Sequence, residues 1–540
     1  MVSRINDPKV TEILKSLDDH AVTVVTGGAG AGKTHTMVNA IIKAHEKNKK
    51  ICCITYTNAA ANEIRKRLKD KKIYVSTIHE FLWNQIKLYP EVLLRELKRI
   101  SQKEEIKLDD DINKVQYGEY RRIDKGIISH ADIISFSKEI FLNYPLMGRI
   151  LKDKYNCIFL DEYQDTYTDV LMMLFNVKKK YIKDFEIAMF GDRMQSIYDN
   201  LDFNIFFNQS FLIQRISIED NRRNPEVIIK LANKIRDDGL QQKCTDDESA
   251  PNMVNGRVKR GIALFAYGGN IQNVTEQFPW IKESRSLKIL SLTRKMIARQ
   301  CGFISLLNVF DKYNFRDELF SNKFIDDDMS IYRDPLSGYL ICIQHVIDLY
   351  KDKEIHDLIS RIDFRILRND DRRILRCKLD EMLKLSNKTI GEMISYVNKN
   401  GIIIKNERLL NFENDKPDFI KEVSKISYIE FSNVYKYLFK NTIFSTIHGV
   451  KGEEYDDVLL ILDNGNWSKY DFDALLEFFS NPDYNNERIE NAKHLFYVAC
   501  TRARNSLIVY YPKKISCACL KGAINLFGVD SCIDIGGNDI

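Results

Sequence analysis

Residues 26–36 read T-G-G-A-G-A-G-K-T-H-T and directly follow the apolar run Ala21-Val22-Thr23-Val24-Val25. Gly27, Gly32, Lys33 and Thr34 satisfy the spacing G-x-x-x-x-G-K-[ST]. This segment leaves few folds open. The apolar run asks for a buried strand and the residues after it for a helix. The glycines between them allow a turn whose N–H groups point inward at a polyphosphate. The helix adds the positive end of its dipole to the same anion. Gly27, Gly28, Ala29, Gly30, Ala31, Gly32, Lys33, Thr34 and His35 are therefore expected to line a nucleoside triphosphate. Lys33 would bridge the β- and γ-phosphates, and the Thr34 hydroxyl would ligate Mg²⁺.

The rest of the chain agrees with an α/β protein. Apolar runs recur at Ile51–Tyr56, Cys157–Leu160, Ile187–Phe190, Leu287–Leu292, Val458–Leu462 and Leu507–Tyr511, with helical patterns such as Ala59–Lys72 and Pro225–Arg236 between them. Such alternation predicts doubly wound parallel sheets. A chain of 540 residues exceeds a single core. The runs cluster at the two ends of the sequence, so two α/β domains are expected, interrupted by largely helical insertions. Helical periodicity is read at Val92–Lys103 and Ile133–Leu142 in the first insertion, and at Ile341–Tyr350, Arg372–Leu385 and Phe419–Phe439 in the second. The net charge of +5 permits a local nucleic-acid-binding patch without arguing for one. No apolar signal segment or run of about 20 apolar residues occurs, so a cytoplasmic protein without membrane contact is expected.

The run Cys157–Leu160 ends in Asp161-Glu162. Paired with a phosphate loop, the first carboxylate suits Mg²⁺ and the second suits activation of an attacking water. The sequence around them, Asp161-Glu162-Tyr163-Gln164-Asp165, resembles the D-E-F-Q-D motif of superfamily 1A helicases, the UvrD/Rep/PcrA group. The resemblance extends in family order. It takes in Thr55-Tyr56-Thr57-Asn58-Ala59-Ala60-Ala61, Ser76-Thr77-Ile78-His79, Gly191-Asp192-Arg193-Met194-Gln195-Ser196-Ile197-Tyr198 and Asn221-Arg222-Arg223-Asn224. It continues through Thr446-Ile447-His448-Gly449-Val450-Lys451-Gly452-Glu453-Glu454-Tyr455 and Tyr497-Val498-Ala499-Cys500-Thr501-Arg502-Ala503.

The resemblance implies two RecA-like domains with ATP and Mg²⁺ between them. Residues 1–82 and 150–222 would form the first, interrupted by a helical insertion at 83–149. Residues 223–325 and 442–540 would form the second, interrupted by a reduced helical insertion at 326–441. It also implies roles. Arg223 and Arg502 would reach the γ-phosphate from the second domain, Gln195 would sense it, and Glu454 would accept from the ribose. Lys33, Asp161 and Glu162 complete the hydrolytic set. Tyr56 would stack on a base, while Thr57, Asn58, Thr77, His79 and His448 would contact the strand near its phosphates.

Four departures stand out. No glutamine precedes Gln85, where the family places one upstream of the phosphate loop to read adenine. Arg222 replaces the tyrosine of N-Y-R-S, which stacks on adenine in the family, and its guanidinium would line the nucleotide there and can still stack on a purine. His35 stands where arginine is common. After Tyr198 the family's stacking aromatic is missing, with Phe203 as the available substitute. The leading expectation is an ATP-dependent translocase or helicase on single-stranded DNA, of 3′→5′ polarity. The alternative is a DNA- and nucleotide-sensing ATPase that regulates a partner nuclease, as implied by similarity to the helicase-like subunit of Gabija anti-phage systems.

Overall fold

The computed structural model describes residues 7–536 apart from 70–71, 119–120, 199, 208, 285, 314–333, 441, 466 and 483–484. Strands β1 (Val22–Gly27), β2 (Ile51–Thr55), β3 (Tyr74–Thr77), β4 (Cys157–Asp161), β5 (Glu186–Gly191) and β6 (Ile213–Ile218) form a six-stranded parallel sheet in the order β3-β2-β4-β5-β1-β6. Successive residues of its central strands face opposite cores, as the pleat requires. Val22, Val24, Ile158 and Leu160 join one apolar cluster, and Val25, Cys157, Phe159 and Phe190 join another. Both faces are covered, which is why these strands read as continuous apolar runs rather than alternating ones.

A second sheet repeats this plan. Strands β7 (Ile262–Tyr267), β8 (Leu287–Ser291), β9 (Phe444–Thr446), β10 (Tyr455–Ile461), β11 (Ala503–Tyr511) and β12 (Cys532–Asp534) pair in parallel in the order β9-β8-β10-β11-β7-β12. Strand for strand this is the order of the first sheet. The fold is α/β, with two RecA-like parallel sheets and mainly helical insertions.

The first insertion packs helices Pro90–Lys103 and His130–Asn143 onto the first-sheet core through Leu93, Leu97, Ile133 and Phe136. The second has a core of its own, including Leu340, Ile343 and Tyr428, and helix Ile304–Lys312 of the segment before it joins that core through Leu306 and Phe310. Its expected start at residue 326 lies outside the described residues. The helix expected at Phe419–Phe439 is two helices, Pro417–Val423 and Tyr428–Phe439. The chain opens between them because the carbonyls of Ser424 and Ile426 accept hydrogen bonds from the N–H groups of Gly391 and Ile390. Among the described residues no helix is long and apolar enough to cross a membrane.

Candidate functional site

A cavity of 580 Å³ opens between the two sheets, lined by the phosphate loop, Tyr56, Asp161, Glu162, Gln195, Arg222, Arg223, Glu454 and Arg502. The loop joins β1 to helix Lys33–Glu46. Gly30 and Gly32 adopt φ of +76° and +77°, left-handed values that glycine takes without strain. A Cβ on Gly30 would lie 2.7 Å from that of Arg223, so this turn also passes too close to the second sheet's entry segment for a side chain. Among the described residues the N–H groups of Gly30, Gly32, Lys33 and Thr34 find no acceptor. Unpaired backbone donors at a helix N-terminus form an anion cradle. Lys33 Nζ turns back onto the loop carbonyls of Gly27 (3.0 Å) and Gly28 (3.4 Å). His35 is exposed and lines the same cavity, with Nδ1 3.4 Å from Asn39 Nδ2.

Asp161 ends β4 in a buried position, and Glu162 follows with φ +50°, a strained value for a residue with a Cβ. The Gln164 amide donates to the Glu162 carboxylate at 2.5 Å and fixes its direction. Burial, and then the Glu162 charge, push the Asp161 carboxyl above its usual range. Burial would raise Glu162 as well, but Lys33, Lys451 and the Gln164 hydrogen bond outweigh it and hold that carboxyl low. A hydroxyl at Thr34 and a carboxylate at Asp161 in one pocket are the oxygen donors a hard divalent cation takes.

The second sheet delivers arginines into this pocket. Arg502 is 1% exposed, and its guanidinium donates to the carbonyls of Val498 (2.9 Å) and Glu453 (3.1 Å) and to Gln195 Oε1 across the cleft (3.3 Å). Burial, and then the neighbouring Arg223, push its pKa down to about 9. A buried guanidinium held by neutral acceptors beside a second cation is set for an anion. Arg223 is paired with Glu454 at 2.5 Å, and Arg504 lies 3.5 Å from the other oxygen of that carboxylate. Glu454 is thus occupied by arginines here. Arg222 reaches Asp247 on the loop between Gly239 and Gly256.

Several residues at this junction carry no role in the sequence reading. Lys451 donates to both Asp165 oxygens (2.7 and 2.5 Å) and to the Gln195 carbonyl, tying the sheets together. Arg236 makes a fully buried two-point pair with Asp192 and donates to the Tyr497 hydroxyl at 2.7 Å. That hydroxyl in turn accepts from the Ala29 N–H of the phosphate loop. Gln242 donates to the Ala29 carbonyl, and its side chain fills the space where a Cβ on Gly28 would lie. Lys451 and Tyr497 lie inside quoted motifs and could have been singled out. Arg236 and Gln242 lie outside them and gave no signal.

The strand-contact candidates share one face at the strand ends. Tyr56 stacks on Tyr198 (ring centroids 5.3 Å). The hydroxyls of Thr57 and Thr77 cap the helices that begin at Asn58 and Ile78, and Asn58 is exposed at the first of these. His79 stacks on His130 of the first insertion at 3.5 Å. His448 meets them from the second sheet, its ring 6.4 Å from that of Tyr198 and its Nε2 2.9 Å from the Tyr470 hydroxyl.

Comparison with known proteins places this geometry. Residues 11–200 match the family described as AAA domain, and residues 409–514 match the UvrD-like helicase C-terminal domain. Gabija protein GajB of Bacillus cereus (strain HuB5-5) is 26% identical, over 93% of this chain and 94% of its own length. A second GajB, from Bacillus cereus (strain VD045), is 23% identical over 92% and 94%. The ATP-dependent DNA helicase PcrA of Bacillus subtilis (strain 168) is 21% identical over 52% of this chain and 44% of its own. The motif order, the paired sheets and these matches agree: the chain belongs to the UvrD-like superfamily 1 helicase family.

Proposed function

We propose that the chain is a DNA-dependent ATPase that moves along single-stranded DNA with 3′→5′ polarity, hydrolysing ATP between its two sheets. The observation that carries this is Arg502, buried with no carboxylate partner among the described residues and hydrogen-bonded across the cleft to Gln195. Residues 1–82 and 150–222 act as one motor domain, and 223–325 and 442–540 as the other.

In this reading the loop N–H groups bind the phosphates, and Lys33 leaves its carbonyls for the β- and γ-phosphate oxygens. Thr34 and Asp161 would hold Mg²⁺, which would neutralise phosphate charge. Glu162, aimed by Gln164, takes the proton of the attacking water. Arg502 and Arg223 stabilise charge developing on the γ-phosphoryl group, with Gln195 relaying its presence. Arg223 must first release Glu454, which frees that carboxylate for the ribose. Departure of phosphate would let the Lys451–Asp165 tie and its neighbours loosen and re-form, so the sheets open and close on the strand.

The alignment with GajB over nearly the full length of both chains favours a second reading, in which DNA- and nucleotide-dependent closure regulates a partner nuclease. Displacement of streptavidin from a biotinylated strand end separates the two. The motor reading expects ATP-dependent displacement by the protein alone, from the 5′ end. No displacement, together with co-purification of a nuclease, would replace it with the regulatory reading.

A further inference from the structure

The missing aromatic after Tyr198 leaves the strand path one ring short. Phe203 does not supply it. Its ring lies under the Arg193 guanidinium at 5.1 Å and packs against the first-sheet core. A different ring occupies the other side of the cleft. From Tyr56 and Tyr198, stacked at 5.3 Å, the aromatic row continues to His448 at 6.4 Å and then to Trp467 at 5.7 Å. Trp467 is 41% exposed, although Tyr470 braces it edge-on at 5.0 Å.

Trp467 borders a cleft of 830 Å³ at the C-terminal ends of β8 and β10, lined among the described residues by Lys295, Arg299, Arg488, Lys513 and Asp463. Three of these cations pair with carboxylates, Lys295 with Asp311, Arg488 with Asp471, and Lys513 with Asp463 (3.8 Å) and Asp473 (3.6 Å), and the cation side chains are about half exposed. Partly exposed pairs of this kind contribute little stability, so a phosphate can compete for the cations at small cost. The cleft is also the second sheet's counterpart of the Tyr56 site. Thr57 comes after β2 and caps helix Asn58–Leu68, and Thr293 comes after β8 and caps helix Arg294–Cys301. At the position equivalent to Tyr56 stands Leu292, 1% exposed and unable to stack. The loop after β10 brings Trp467 to this cleft instead.

We propose that Trp467 is the base-stacking residue of the second sheet, and that the cations of its cleft hold the phosphates of the same single strand. The proposal rests on the strand-binding reading above. A nucleic-acid strand suits this surface because an exposed ring flanked by cations serves a base and its backbone together.

The test is titration of the full chain with oligothymidylate, following intrinsic tryptophan fluorescence and, separately, affinity. Trp83 and Trp280 are the other tryptophans. Binding should quench emission in the wild type, and Trp467→Phe should lose most of that quenching while keeping affinity within a few-fold. Trp467→Ala should weaken binding about 5- to 150-fold. Lys295→Ala and Arg299→Ala should each lower the slope of log affinity against log salt by about 1. Wild-type affinity and quenching in Trp467→Ala, beside a weakened Tyr56→Ala, would overturn the assignment of Trp467 alone. No binding by the wild type would overturn the strand-binding reading and this proposal with it.

Discussion

The two sheets share one strand order and differ in the segments that their equivalent strands lead into. After β1 a five-residue loop with two left-handed glycines opens toward the cleft and presents unpaired N–H groups. After β7 the chain turns at Gly268-Gly269 into helix Ile271–Gln277. There a Cβ on Gly269 would meet the Ile535 carbonyl at 2.8 Å. The segment around Ile535 packs against this turn and closes it. One topology therefore yields a nucleotide cradle in one copy and a sealed turn in the other. The second sheet takes part through the side chains it sends across the cleft: Arg502, Lys451, Tyr497 and Arg236. Function lies in the loops grafted onto the shared sheet plan.

If this division holds, removing the second sheet's contribution should cost most. Arg502→Ala should lower kcat by about 10³-fold or more, the range of arginine fingers. Arg502→Lys should restore little, because an ammonium lacks the planar fork. Phosphate release measured beside a thermal melt checks both, and near-normal kcat in a folded Arg502→Ala would break the division. On the first sheet, Glu162→Gln should reduce turnover by about 10²-fold while nucleotide binding stays intact. Loss of binding instead would make Glu162 part of the cradle rather than of the chemistry.

Base selection sharpens the comparison further, since the residues near the base come from the sheet junction. With no upstream glutamine and with Arg222 tied to Asp247, the kcat/KM ratio for ATP over GTP should stay below about 10³. A larger ratio would mean that other residues read the adenine edge.

The smallest expected effect is on pH stability. Burial, and then the neighbouring His130, push the His79 ring down to about 4 from the ordinary 6.5. The fold thus favours the neutral ring. Its contribution is present above pH 6.5 and is lost as pH falls through about 4. Tm should fall more steeply across that window in the wild type than in His79→Phe, and equal slopes would show that the stack does not resist protonation.

The sequence made the catalytic half of this picture legible because its demands are local. A phosphate loop needs particular glycines, and the carboxylates sit at the end of a buried apolar strand that periodicity reveals. Central strands such as Cys157–Asp161 read clearly for the same reason. Edge strands did not. Ile213–Ile218 carries Gln214, Arg215 and Ser217, and Tyr74–Thr77 is half polar, because an edge position asks for less apolar surface. Ile262–Tyr267, which is interior, and the short Phe444–Thr446 and Cys532–Asp534 were also unread. The junction was legible only where motifs cross it. Arg236 with Asp192, and Gln242 under Ala29, come from contacts distant in sequence, which no spacing rule encodes.

The central claim is that a nucleotide held by the first sheet is hydrolysed with residues of the second when a strand lies across both. Steady-state phosphate release from ATP, with and without saturating single-stranded DNA, tests it most directly in the wild type and in Arg502→Lys. The account predicts clear stimulation by DNA in the wild type and little activity in either condition for the variant. Unstimulated hydrolysis in the wild type, or equal DNA-stimulated turnover in Arg502→Lys, would contradict it.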